Sequence, residues 1–263
     1  MGKHTIKQRN DYIIVIPTFN RVSTFSKKTY TRIIQPYKLE KRVILLIQTN
    51  EDALCYKQHF PELKQLRTPK GLLATVNYVA DYFPINKKIV MMHDDLNRIL
   101  YVEPPSAKRI TVKDANAFFN HMFTTMKKNK CNLGGVYPTD YPLTMVTQPT
   151  FTTDLRFIHD PLTFIINQRV KLDTKFTDHK MDFQRTIEFY KKDKKVLRMN
   201  HYTFSTPYNP KSNEGGFGYR TPEKEKEVVK LFLEKYKPYI KTISIHKDGS
   251  TSLILQKNPN SSG

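Results

Sequence analysis

The chain has 263 residues, 38% of them hydrophobic, enough for one sizeable α/β domain or two small ones. Lys and Arg number 44 against 24 Asp and Glu, a formal net charge of +20 that points to a polyanionic partner, nucleic acid first, with a Lys-rich solubilising surface as the plainer alternative. No apolar run reaches the roughly 20 residues that span a bilayer, the opening MGKHTIKQRN lacks a signal-type segment, and Cys55 and Cys131 have no CxxC or HxxxH companion; a membrane anchor, a disulfide framework and a zinc site are therefore not indicated, and a cytoplasmic location is expected.

In chain order, DYIIVIPTFNR predicts a buried strand over Tyr12–Ile16 closed by Pro17, which cannot donate to a ladder. A weakly helical stretch, Ser26 to Ile34, leads to a second strand at Val43–Ile47. Leu72, Leu73, Val76, Val79, Ala80 and Phe83 fall at helical spacing, and the third expected strand, Ile89–Met92, runs directly into His93, Asp94 and Asp95. Ligands of open α/β sheets bind outside the carboxyl ends of strands, so Thr18, Asn20, Asn50 and the two Asp residues are expected to meet in one crevice. The Pro-rich VEPPSAKR reads as a joint between two halves of one domain, about 11–103 and 104–256. Beyond it come a helix opened by Thr111, a strand in CNLGGVYP with close backbone approach at Gly134 and Gly135, a strand in RFIHDPLTFIINQRV, a helix, a final strand, and a helix capped by Thr221 and running through Tyr236. QKNPNSSG has the composition of a disordered tail, assigned to 257–263.

Two adjacent carboxylates at a strand end repel. A divalent cation shared with a diphosphate removes that repulsion, because hard cations take carboxylate and phosphate oxygens together; a surface turn or helix cap is the plainer explanation. In the loop before the last helix, Gly215, Gly216 and Gly218 would let backbone N–H groups approach a phosphate, with Arg220 pairing to it, unless GGFG is an ordinary turn. His159 and Asp160 in FIHDP form a weaker candidate that a strand end also explains.

Taken in order, IVIPTFNR, KGLLATVNYVADYF and VMMHDDL resemble GT-A type, nucleotide-sugar-dependent glycosyltransferases. The later FTDHKMDFQRTIEFYKKDKKVL resembles the acidic motif and following helix that such enzymes carry in their acceptor half, and GGFGYR resembles the smaller group of bacteriophage TET-associated glycosyltransferases, which decorate 5-hydroxymethylpyrimidines in phage DNA. The resemblance implies a GT-A fold, an α/β architecture in which a Rossmann-like nucleotide-sugar half is fused to an acceptor half with a mixed sheet. It also implies that Pro17, Thr18, Arg21 and Asn50 line the nucleotide and diphosphate pocket, that Asp94 and Asp95 hold Mn2+ or Mg2+, and that His201 supplies a third ligand. Where such enzymes usually carry an adjacent Glu-Asp pair, this chain has Asp178, His179 and Asp182. Asp178 and Asp182 are placed on one helix face, one as the base that accepts the acceptor's proton and the other holding a Lys or Arg, with helix capping as the alternative.

The function these readings imply is transfer of a sugar, glucose or a pentose such as arabinose, from a UDP-sugar to 5-hydroxymethylcytosine in phage DNA. The lysine runs 127–130 and 191–195 are expected to grip phosphates, and Tyr137, Tyr141, Tyr202 and Tyr208 to stack on a base. The rival expectations are a GT-A enzyme with a protein or small-glycan acceptor, and an inactive DNA-binding or host-interaction protein.

Overall fold

The computed structural model describes residues 11–176, 180–206, 222–245 and 251–259. At its centre is an eight-stranded mixed sheet, built first from a parallel set: β1 (Ile13–Thr18), β2 (Val43–Ile47), β3 (Lys64–Arg67) and β4 (Lys88–Met92). β9 (Leu162–Ile166) then runs antiparallel to both β4 and β7 (Leu133–Val136), and β10 (Leu197–Met199) and β8 (Phe151–Thr152) complete the order β3-β2-β1-β4-β9-β7-β10-β8. The near-continuous Ile, Val, Leu and Met of β1, β2, β4 and β9 are what a sheet covered on both faces requires. On one face α4 (Ala115–Lys128) sets Phe118, Phe119, Met122 and Phe123 against Tyr12, Ile14 and Phe164. The other face is covered by α3 (Leu72–Tyr82) and α6 (Met181–Asp193), with Val76, Val79 and Ile187 against Val15, Met91 and Ile165.

Several expectations change. β1 continues through Thr18, and its pairing with β4 stops at Val15↔Met91, two residues before Pro17 and its missing N–H. The strand that ends in His93-Asp94-Asp95 is fourth, not third, because KQLR forms the edge strand β3; charged ends suit an edge, where no second face must be apolar. The Pro-rich joint is the turn of a hairpin between β5 (Arg98–Glu103) and β6 (Lys108–Thr111), and β11 (Tyr202–Ser205) adds to its other side. Thr111 thus belongs to β6, and Asp114 caps α4 by accepting from Ala117 N. A hairpin of β12 (Ile240–Ile245) and β13 (Thr251–Leu255) follows α7 (Pro222–Tyr236). Beyond it Gln256 N donates to Tyr239 O and Lys257 O accepts from Leu155 N, so backbone pairing reaches the first residue of the segment read as tail.

The close approach at the two glycines of β7 is real. A Cβ on Gly134 would lie 2.8 Å from Met126 Sδ, and one on Gly135 2.6 Å from Ile158 Cγ2. Cys55 and Cys131 are both free thiols. Among the described residues no helix is long and apolar enough to cross a membrane.

Candidate active site

β1 and β4 lie side by side and parallel, so their carboxyl ends deliver Thr18 and Asp94 to the same point. Asp94 is 3% exposed. One of its oxygens accepts from Thr18 Oγ1 at 2.8 Å and the other from Arg21 Nη1 at 2.8 Å. The second guanidinium nitrogen, Arg21 Nη2, reaches Asp95 Oδ2 at 3.0 Å, so one planar fork spans both carboxylates and offsets their repulsion. Burial still dominates at Asp94 and, with Asp95 beside it, pushes its pKa up to about 6 against the pull of Arg21.

The backbone around the pair is tied down from the neighbouring helical segments, Ser26–Ile34 among them. Thr29 Oγ1 donates to His93 O at 2.9 Å and accepts from Leu96 N at 2.9 Å, bracketing the acidic turn. Thr18 Oγ1 shares a short hydrogen bond with the Tyr56 hydroxyl. Asn20, in left-handed backbone at φ 52°, donates its N–H to the Asp52 carboxylate at 3.1 Å. Asp52 is in the first turn of α2 (Asn50–His59), capped by Thr49, so this α2 carboxylate fixes the loop that carries Arg21.

A second buried charge network adjoins the first. His93 Nε2 is 3.0 Å from Asp160 Oδ2, and Asp160 Oδ1 is 2.5 Å from Arg185 Nη2, which also donates to Thr163 Oγ1 at 3.0 Å. Arg185 is 1% exposed, in the middle of α6. Burial opposes ionisation of Asp160, but Arg185 and His93 hold its carboxyl far below the usual range. Asp182, one turn earlier on α6, has its pKa raised by burial and by Asp160, with His159 opposing; burial lowers His159. His93, His159, Asp160, Asp182 and Arg185 therefore act on one another, and FIHDP is part of the site's wall.

The other sequence candidates distribute differently. Pro17 is within β1, and Asn50 is exposed at the start of α2, where its neighbour Asp52 makes the contact to the β1 loop. His201 Nε2 bonds Gln148 O at 3.0 Å. It precedes β11, whose far end, Ser205, meets Asn97 just past the acidic turn, so about 13 Å of strand, at ~3.3 Å per residue, separates His201 from that turn. Asp182 is in the first turn of α6, which begins at Met181. The carboxylate of Asp182 accepts from Phe183 N at 3.0 Å. Asp178, His179, Tyr208, the GGFG loop, Arg220 and Thr221 lie outside the described residues. Tyr202 stacks on Phe118 at 4.3 Å, Tyr137 lies under Arg198 at 4.8 Å, and Tyr141 is exposed.

Reasoning from sequence missed Tyr56, Asp52 and Arg185. Arg185 left one signal: it interrupts the apolar face of an otherwise amphipathic helix, with Met181 one turn before it and Phe189 one turn after.

The donor set suits a hard cation. Asp95 Oδ1 is buried without a hydrogen-bond partner, leaving one carboxylate oxygen open beside a second carboxylate. Among the described residues no third His, Cys, Asp or Glu joins the pair.

Several solved structures are similar to this chain. Glucosyl-3-phosphoglycerate synthase from Mycobacterium tuberculosis, solved with Mn2+, UDP-glucose and phosphoglyceric acid, superposes with a TM-score of 0.52 at 9% identity, covering 94% of this chain and 89% of that one. GalNAc-T7 with UDP, GalNAc and Mn2+ gives 0.49 at 12% identity over 87% of this chain, which spans only 50% of GalNAc-T7. A CMP-2-keto-3-deoxy-manno-octonic acid synthetase complexed with CTP gives 0.43 at 8% identity. The fold is thus of the GT-A type, and no curated protein matches the sequence. Residues 12–209, well over half of the chain, match the TET-Associated Glycosyltransferase family, and the chain belongs to that family of enzymes.

Proposed function

We propose that this glycosyltransferase moves a sugar from a UDP-sugar to the hydroxyl of 5-hydroxymethylcytosine in DNA. The observation that carries the reading is the Asp94–Asp95 pair past the carboxyl end of β4, Asp94 buried and Asp95 half-buried, spanned by Arg21 and left with one oxygen without a hydrogen-bond partner. Asp94 and Asp95 would hold Mn2+ or Mg2+, and that ion would neutralise charge growing on the departing diphosphate. The UDP-sugar-bound relatives of the same fold support the donor, and the family supports a hydroxymethylated pyrimidine acceptor.

In this reading the chain's own residues bind, orient and move one proton. Thr18, Tyr56 and Asp52 fix the β1 loop, so Arg21 and the pair are set before the donor arrives. Asp182, whose raised pKa suits a general base, takes the proton from the acceptor hydroxyl. As that oxygen bonds to the anomeric carbon, the carbon–oxygen bond to UDP breaks and UDP leaves with the electron pair.

A protein or small-glycan acceptor is the second reading, and one observation favours it. The two lysine runs expected to grip phosphates lie at the end of the sheet opposite the carboxylate pair. Mass spectrometry of nucleosides separates the two, using duplexes of cytosine or 5-hydroxymethylcytosine incubated with the protein, Mn2+ and a panel of UDP-sugars. A hexose or pentose mass on the hydroxymethylated duplex alone supports the first reading; no addition from any donor to DNA, with transfer to a peptide or glycan, supports the second.

A further inference from the structure

The lysine runs sit between a helix and the strand that follows it: 127–130 between α4 and β7, and 191–195 between α6 and β10. Because β7 and β10 are parallel to each other and β7 runs antiparallel to β9, as β4 does, both runs lie at the amino ends of β4, β7 and β10. The carboxylate pair follows the carboxyl end of β4. From Lys88 to Asp94 the chain covers about 20 Å at ~3.3 Å per residue, so the runs and the pair occupy opposite poles of the sheet.

Contacts join the runs into one surface. Asp193, at the end of α6, accepts from Asn132 N and Nδ2 in the turn after α4. Lys192 Nζ donates to Gln168 O, and Gln168 Nε2 donates to Asn86 Oδ1, beside Lys87. Lys127 acts on Asp11, and Lys195 acts on Cys131. Lys127, Lys130, Arg169, Lys194 and Lys195 are exposed on this surface, and none makes a salt bridge to a described carboxylate. A helix C-terminus favours a nearby Lys, which explains residues 127, 128, 191 and 192 without any ligand.

That explanation leaves out the backbone of three residues in the turns themselves. Lys130, Arg169 and Lys194 have φ of 56°, 53° and 58°, the left-handed region where Gly or Asn costs least. At each turn a long cation stands where backbone preference asks for a small residue. The three turns all open onto this one pole.

We propose that the amino pole of the central sheet is a second polyanion-binding surface, fitted to the phosphate backbone of duplex nucleic acid and separate from the transfer site. It engages plain duplex through phosphates without reading sequence. Its occupancy does not depend on which acceptor the transfer site uses.

The test is the K130N/R169N/K194N variant, since Asn suits left-handed backbone and the fold should be kept. Affinity for a short unmodified duplex, with no donor sugar present, is measured by anisotropy across a salt series. The expected result is a fall of about tenfold or more near 0.15 M salt, with the log–log salt slope reduced by about 2 to 3, at ~0.9 per lost phosphate contact. The melting temperature should stay at or above that of the unmodified protein. K57Q/K226Q/K230Q, which removes three exposed cations elsewhere, should keep most of the affinity. Unchanged binding in the first variant overturns the proposal, as does equal loss in both, which would mean diffuse attraction by net charge. Loss of binding to phosphatidylserine vesicles with duplex affinity intact also overturns it, in favour of a membrane surface.

Discussion

The two poles of the central sheet handle charge in opposite ways. At the carboxyl pole, Asp94, Asp95, Asp160, Arg21 and Arg185 are largely buried and answered by partners at 2.5 to 3.0 Å. At the amino pole, Lys127, Lys130, Arg169 and Lys194 stand in solvent without carboxylate partners among the described residues. Buried charge is expensive unless paired, so a paired cluster at a strand end is held for the geometry of the charges. Exposed unpaired charge costs little and gives long-range, salt-sensitive attraction. The molecule thus keeps placement of charge at one end and density of charge at the other.

The sharpest way to break this comparison is Asp95→Ala. Under the proposed function it removes half of the cation-binding pair and should lower sugar transfer by about three orders of magnitude, on the order of 4 kcal/mol of transition-state stabilisation. Binding of unmodified duplex should not change, because that charge density is at the other pole. Equal turnover in the variant, measured by nucleoside mass spectrometry, would sink the metal assignment; a parallel loss of duplex binding would merge the two poles.

Arg185→Met comes next. It leaves Asp160 buried opposite His93 alone, and removal of one partner of a buried pair typically costs about 3–5 kcal/mol. The denaturation midpoint should fall accordingly, and adding Asp160→Asn should recover part of the loss. A midpoint unchanged by Arg185→Met would show that the network is not held as described.

The same network sets a pH dependence. Despite burial, Asp160 is held below the usual carboxylate range by Arg185 and His93. Its contribution to stability is therefore present above the unfolded value near 3.9 and is lost as pH falls below it toward the folded value. For His93, burial works against protonation, but the Asp160 carboxylate raises its pKa. That contribution is present below about 6.5 and is lost as pH rises through the raised folded value. Urea midpoints should therefore peak between about pH 4 and 6.5, and Asp160→Asn should flatten both limbs. An unchanged pH profile in that variant would count against the His93–Asp160 pairing.

How far each pole could be read from sequence follows from the kind of signal it leaves. Val43–Ile47 and Ile89–Met92 are apolar runs closed by polar exits, and β2 and β4 fall within a residue of them. Thr18, Asp94 and Asp95 stand at or just past strand ends, so the rule placing sites at carboxyl ends brought them together, while Arg21 came from the family resemblance. Asp160 showed only as a weaker candidate in FIHDP, and Arg185 escaped, because the partners of both are distant in sequence. KQLR escaped because edge strands need no apolar alternation. The lysine runs were visible as charge, but charge alone gave them no place in the fold. Both sit after a helix and before a strand, and in a helix-to-parallel-strand connection that position is the strand's amino end, so the topology puts them at the pole opposite the acidic turn.

The smallest effect offers the finest comparison. Lys194 ends α6 in left-handed backbone, its N–H bonded to Tyr190 O at 2.7 Å. Glycine is the residue this cap position ordinarily takes. Lys194→Gly relieves the side chain's clash with its own backbone, and some of that gain is returned as extra freedom in the unfolded chain. A net stabilisation of about 0.5 kcal/mol is expected, a rise of roughly 1–2 °C in melting temperature for a chain of this length. Nothing at the carboxyl pole touches Lys194, so sugar transfer to a free hydroxymethylated nucleoside should be unchanged. If duplex affinity falls while the melting temperature rises, the lysine is kept at the expense of stability for its charge, and the amino pole is a binding surface. If both stay level, Lys194 is an unstrained cap, and the basic pole must rest on its other turns.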